Sequence, residues 1–207
     1  MVDQTQKKRK TNIFNLASNV YAFDSTSIDL YLVVFWWTKF RKKKGGIKIH
    51  TLYNVETHIP AFFHITTALV HDSKTMNEIP YEIGAYYIFD RGYNCFRNLF
   101  WIETLESYFI VRAKSNLQFK AIKWKRRLPQ NILSDASGEL MTYKSSKDYP
   151  SHIRKVCFGS EEQKRKFTFF TNVMDLSPLP IAELYKSKWQ IKFFFKWLEQ
   201  HLKIKKF

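Results

Sequence analysis

The sequence predicts an α/β domain: a mixed sheet of about five strands, flanking helices, and a β-rich insertion ahead of a last long helix. Three observations predict it. Short apolar runs of strand length alternate with turn residues through the first half of the chain. A helix-spaced segment carrying Phe96, Leu99, Phe100 and Leu105 lies between two such runs, the pattern of a parallel strand pair joined by a right-handed crossover. From Ile181 onward, "IAELYKSKWQIKFFFKWLEQHLKIK" keeps Leu184, Ile191, Phe195, Leu198 and Leu202 near one stripe, as an amphipathic helix does.

The elements follow in chain order. "NVYAFD" (19–24) reads as a short buried strand closed by a carboxylate. "GIKIHTLYNV" alternates Ile47, Ile49, Thr51 and Tyr53 on one face, as a half-buried strand does. "AFFHITTALV" is a third strand, and the short connections favour an antiparallel meander. "VHDSKTMNEIP" is a linker or short helix, and "AYYIFD" a fourth strand, again closed by a carboxylate. The helix of "NCFRNLFWIETLESY" and the strand "YFIVRA" complete the core. Residues 1–18 form a basic tail. The span of about 120–176 reads as the β-rich insertion, with "QNILSDASGE" as a polar loop and strand pieces in "ELMTY", "IRKVCFG" and "KFTFFTNV". "SPLP" stops what precedes it, and the last helix covers about 180–204.

Composition narrows the function. The 207 residues suffice for one domain with a real core, and 45% apolar content excludes wholesale disorder. Lys and Arg number 34 against 18 Asp and Glu, a net charge of +16 that suits a polyanionic partner, most simply nucleic acid. A lysine-rich solvated surface is the plainer alternative. Cys95 and Cys157 have no metal-like spacing and read as free thiols of a reducing compartment. The basic start lacks an apolar secretory core, and "IDLYLVVFWW" has about half the length of a membrane span. A cytoplasmic protein without a membrane partner is expected.

Chemistry concentrates at two carboxylates. Asp24 and Asp90 each close an apolar strand, first and fourth in order. On neighbouring strands they would stand side by side, and two such charges need a cation or a proton between them. Mg²⁺ favours oxygen ligands, and two ions about 4 Å apart serve phosphodiester chemistry. The carboxylates would then lie roughly 4–7 Å apart. Alternatively, Asp24 caps the "STS" turn and Asp90 caps the next helix.

"FDST" (23–26), "FDRGY" (89–93) and the long last helix, with "WTKFRKKKGGIKIHT", "VHD", "RAKSN", "SKDYP" and "TN" at 171–172, resemble the DDE transposases of bacterial insertion sequences. More narrowly, they resemble the insertion-sequence-four family with its Y-R-E-K helix. The resemblance runs from about Tyr21 to the C-terminus. It implies a ribonuclease-H-like catalytic core over residues 19–207, DNA cleavage and strand transfer at transposon ends, and two Mg²⁺ held by two Asp and one Glu. Asp24 and Asp90 match the aspartates, as catalytic and metal-binding residues, and Tyr185 matches the signature tyrosine. DNA contacts are expected from Arg91, Tyr185, Lys188 and Lys192. The resemblance also allows a homodimer in the DNA complex and nucleoid association.

Three positions depart from the pattern. Lys188 stands for Arg, keeping charge but losing a bidentate fork. Lys192 stands for the catalytic Glu, removing the third metal ligand. Glu199 stands for Lys and is the nearest substitute acid, though about 10 Å along the helix from residue 192. Lys192 is expected to pair with Asp24 or Asp90. The chain reads as a truncated relative with impaired catalysis, or as an inactive DNA-binding remnant. A basic nucleic-acid-binding protein unrelated to transposition leaves the ordered motifs unexplained. The runs Lys7–Lys10, Arg41, Lys42, Lys43, Lys44, Lys123–Arg127 and Lys164–Lys166 are further phosphate candidates, and the tryptophans, among them Trp36, Trp37, Trp124, Trp189 and Trp197, candidates for base stacking. His71 and Asp72 read as a supporting pair or as a structural histidine.

Overall fold

The computed structural model describes residue 14 and residues 16–30, 39–41 and 44–201. Lys7–Lys10, Trp36, Trp37, Lys42 and Lys43 lie outside the described residues, as do the side chains of Arg41 and Lys44.

Among the described residues, ten strands form one sheet: β1 (Val20–Leu30), β2 (Lys39–Arg41), β3 (Lys44–Asn54), β4 (Ile59–Thr67), β5 (Tyr86–Phe89), β6 (Tyr108–Arg112), β7 (Phe119–Trp124), β8 (Ile132–Leu140), β9 (Ile153–Ser160) and β10 (Arg165–Thr171). The expectation of about five strands is corrected here. The five core strands lie in the order β4-β3-β1-β5-β6, with β1, β3 and β4 antiparallel and β1, β5 and β6 parallel. The sheet does not end there. β10 pairs antiparallel with β6, and β9, β8 and β7 follow outward. "QNILSDASGE", expected as a loop, supplies most of β8. Ile132, Asp135, Ala136 and Leu140 are buried there, and the ladder to β9 overrides the turn-forming character of Asn, Ser and Gly.

Each face of the sheet is covered. Tyr21, Phe23, Tyr87, Phe89, Phe109 and Val111 point to one face, packing with Met76 and Ile79 and with α1 (Phe96–Thr104) through Phe96, Leu99 and Ile102. Val20, Ala22, Tyr86, Ile88 and Ile110 point to the other, under α3 (Pro178–Ser187) and α4 (Trp189–His201). A short α2 (Tyr143–Asp148) bridges β8 and β9. Residues buried on both faces explain why "YYIF" of β5 reads as an unbroken apolar run.

The expected single last helix is two. Pro178 sits in the first turn of α3, where its missing N–H costs nothing, and the helix stops at Lys188. The N–H of Ile191 bonds the Lys188 carbonyl at 3.2 Å, an i to i+3 bond that tightens the chain between α3 and α4.

His50 on β3 is wholly buried, with Nε2 3.0 Å from Thr66 Oγ1 and Nδ1 3.3 Å from Thr75 Oγ1. Burial, aided by Lys48 and His64 and opposed by Asp72, pushes its pKa from 6.5 down to about 4. Between those values the unfolded chain binds a proton that the folded chain refuses. Stability should therefore fall as pH drops from 6.5 to 4, by about 3 kcal/mol in total. Urea unfolding at pH 7 and pH 4.5 should show this loss, and His50→Gln, which takes up no proton, should flatten it. An unchanged slope in the variant would remove His50 as its source.

Candidate functional site

The seam between β1 and β5 positions the two aspartates. Ala22 pairs with Ile88 in parallel register, so Asp24 and Asp90 are the next residues along on the same face. Neighbouring strands lie about 4.8 Å apart. Their adjacency is as expected, their parallel direction is added by the register, and the strand-end reading of Asp24 is corrected. β1 runs on to Leu30 because β3 continues to pair with it, Asp24 opposite Thr51. Only β5 stops, and Asp24 faces the gap it leaves.

Asp90 turns the chain into a single 3₁₀ turn (Arg91–Tyr93) and accepts the Arg91 backbone N–H at 2.7 Å. It thus caps as well as faces the site. Tyr185 of α3 donates its hydroxyl to Asp90 Oδ1 at 3.2 Å. Burial pushes the Asp90 pKa up, but the Arg91 N–H, the Lys188 ammonium, the Tyr185 hydroxyl and Arg112 outweigh it and hold the carboxyl below the usual range. Burial, followed by the Asp90 carboxylate, keeps the Tyr185 phenol protonated far above neutrality.

Lys188, at the break between α3 and α4, is 4% exposed and gives its ammonium to Asp24 Oδ2. The expected pairing of Lys192 with Asp24 or Asp90 is corrected. Lys192 is exposed on α4, and its Nζ sits 4.8 Å from the centre of the Trp189 ring. Helix geometry accounts for the exchange: residue 188 faces the sheet where the helix tightens, and residue 192 has rotated to the rim. Glu199 reaches β1 but misses the aspartates, accepting the Thr26 hydroxyl at 2.7 Å, two residues past Asp24 on the same strand face.

Arg91 is exposed at the edge of the site. Between Asp90 and the β9–β10 hairpin a cleft opens, lined by Arg112, Arg165, Lys188, Trp189 and Lys192. Four cations face one carboxylate there.

Two groups outside the aspartate pair stand out: Asp72, which the sequence offered only as a partner of His71, and one that the sequence did not single out. Asp72 lies across β1 from Asp24, accepting the Ser25 hydroxyl and the Lys48 ammonium, each at 3.0 Å. His71 instead caps its own 3₁₀ turn (Asp72–Glu78) through Ser73, the structural role. The second is Arg154 of β9, 2% exposed, which forms two 2.7 Å bonds to buried Asp135 of β8. The same guanidinium donates to the carbonyls of Val173 (2.9 Å) and Leu176 (2.7 Å), pinning the segment that leads into α3.

Residues 16–207 match the Transposase DDE domain, and the chain belongs to that family. It is 32% identical over 189 residues to a Sinorhizobium fredii protein assigned as a transposase, y4zB, covering 89% of this chain and 52% of that one. It is 26% identical over 190 residues to a Geobacillus stearothermophilus protein assigned as a transposase for insertion sequence element IS5377, covering 87% and 48%. The chain thus spans about half the length of these relatives. Among the described residues, no helix is long and apolar enough to cross a membrane.

Such a family generally works with divalent metal. The residues present do not fit an ion pair as arranged. Asp24 is already neutralised by an ammonium, position 192 offers a second ammonium, and Glu199 is bound elsewhere. Among the described residues, no three His, Cys, Asp or Glu side chains converge to hold a metal ion.

Proposed function

We propose that this chain is a DNA-binding transposase core of ribonuclease-H-like plan whose cleavage chemistry is weak or lost. One observation carries the reading: Asp24 and Asp90 stand side by side on parallel strands, as a DDE centre requires, while Lys188 occupies Asp24 and Lys192 replaces the third acid. The strand order β4-β3-β1-β5-β6 supports the ribonuclease-H-like plan, and strands β7 to β10 correspond to the insertion before the signature helix. The substrate of this reading is duplex DNA at element ends, held by phosphate contacts to the cleft cations and to Arg91. Mg²⁺ belongs to the family pattern, and the Lys188 and Lys192 ammonium groups oppose its charge.

The test is nicking of a supercoiled plasmid carrying the element's ends, with and without Mg²⁺. The unaltered chain should shift the DNA in a gel and leave it uncut. Robust Mg²⁺-dependent nicking, abolished by Asp90→Ala, would overturn the claim of weakened catalysis. Failure to shift the plasmid at low salt would overturn the DNA-binding reading itself.

A further inference from the structure

The outer face of α4 carries large aromatic rings, two of which lie beyond the cleft. Trp189 is 51% exposed, Phe193 71% and Trp197 54%. Ile191 and Phe195 take up the buried side, with Phe194 and Leu198 partly covered beside them. The three exposed residues are spaced four apart, so they form one slowly turning stripe with a rise of about 6 Å between neighbours. Trp189 also lines the basic cleft, so the stripe begins where the cleft ends.

Lys192 and Lys196, both exposed, run along one side of the stripe. The acid of the helix, Glu199, is drawn away to Thr26 of β1. The face therefore pairs aromatic rings with uncompensated positive charge, in a chain of net charge +16. A protein partner would favour an apolar centre depleted of lysine. A DNA duplex would satisfy the lysines and leave the rings idle, because its bases are already stacked on one another. Unpaired bases have free π-faces, and a basic track with successive aromatic platforms is how sequence-tolerant single-strand binding is built.

We infer that the outer face of α4 is a docking track for single-stranded DNA, its phosphates along Lys192 and Lys196 and its bases against Phe193 and Trp197, continuing from Trp189 at the cleft. The inference rests on the DNA-binding reading above and adds the strandedness of what leaves the cleft.

The experiment measures binding of the intact chain to fluorescein-labelled twenty-nucleotide oligo-dT and to a duplex of equal length at about 50 mM salt, a condition that favours phosphate contacts. Phe193→Ala and Trp197→Ala should each weaken oligo-dT binding roughly 5- to 150-fold, the range for loss of one stacked base. Duplex affinity should change less than about two-fold, because phosphate contacts survive. Phe193→Trp should retain oligo-dT binding. Unchanged oligo-dT affinity in both alanine variants, with duplex binding intact, would overturn this inference alone. Equal loss on both DNAs would do the same. Absence of binding to either DNA by the unaltered chain would overturn the DNA-binding reading and this one with it. A dimer in sedimentation that Trp197→Ala converts to monomer would assign the stripe to a second copy and overturn the track, as would tighter binding to oligo-rU than to oligo-dT.

Discussion

Arg154→Ala is expected to destabilise the protein by about 3–5 kcal/mol, because it removes one partner of a buried ion pair and strands the other. Asp135 is 1% exposed and loses both 2.7 Å guanidinium bonds. Lys125 lies 3.6 Å from Asp135 Oδ2, but its side chain is half-exposed and compensates only part of the charge. The carbonyls of Val173 and Leu176 lose their donor too, so the entry to α3 loosens. Urea unfolding followed by far-UV circular dichroism checks the size of the loss. The double change Arg154→Met with Asp135→Leu should recover much of it, since a well-packed apolar pair replaces buried charge at little cost. A loss below about 1 kcal/mol in Arg154→Ala would mean that water reaches the pair.

The second large effect concerns salt. DNA affinity should fall roughly 10³-fold between 50 and 200 mM salt if six phosphates are neutralised, because each contact releases condensed counterion. The cleft supplies Arg112, Arg165 and Lys192, Arg91 stands exposed at its edge, and the β9–β10 hairpin adds exposed Lys164 and Lys166. Lys123, Lys125, Arg126 and Arg127, all exposed, lie at and just beyond the far end of β7. Substituting Gln at Arg165 and Lys166 together should lower the slope by about two contacts while weakening all sequences alike. Fluorescence anisotropy at several ionic strengths measures it. A flat salt dependence would show that these cations are a solvated face.

Much of the site was legible because its signals are local. An apolar strand run followed by an acid, repeated as "FD" at 23–24 and 89–90, singles out both aspartates, although only β5 ends at its acid. The strand-helix-strand spacing around α1 predicted the parallel pairing of β5 with β6, whereas the pairing of β1 with β5 that brings the aspartates together rests on register, Val20 with Tyr86. What was not legible depends on distant register. "QNILSDASGE" carries turn residues, and only its ladder with β9, Ser137 opposite Arg154, makes it a strand. The Asp135–Arg154 pair is invisible without that register. The pairing of β10 with β6, which joins β7 to β10 to the earlier strands in one sheet, likewise links segments some 60 residues apart, Thr171 with Ile110. The break at Lys188 was hidden because the apolar stripe continues through it, and so was the choice of Lys188 rather than Lys192 as the partner of Asp24.

One continuous sheet has a consequence for how the molecule breathes. Its outermost strands, β2 and β4 on one side and β7 on the other, each hold a single neighbour, so thermal opening starts at these margins and travels inward. The seam between β1 and β5 lies two strands from one margin and five from the other, with strands buried on both faces around it. Its amides should exchange with solvent last. The acids and the ammonium that quenches one of them are therefore set in the slowest-opening part of the fold, while the cation-bearing β7 margin keeps the freedom to adjust to the shape of what it meets.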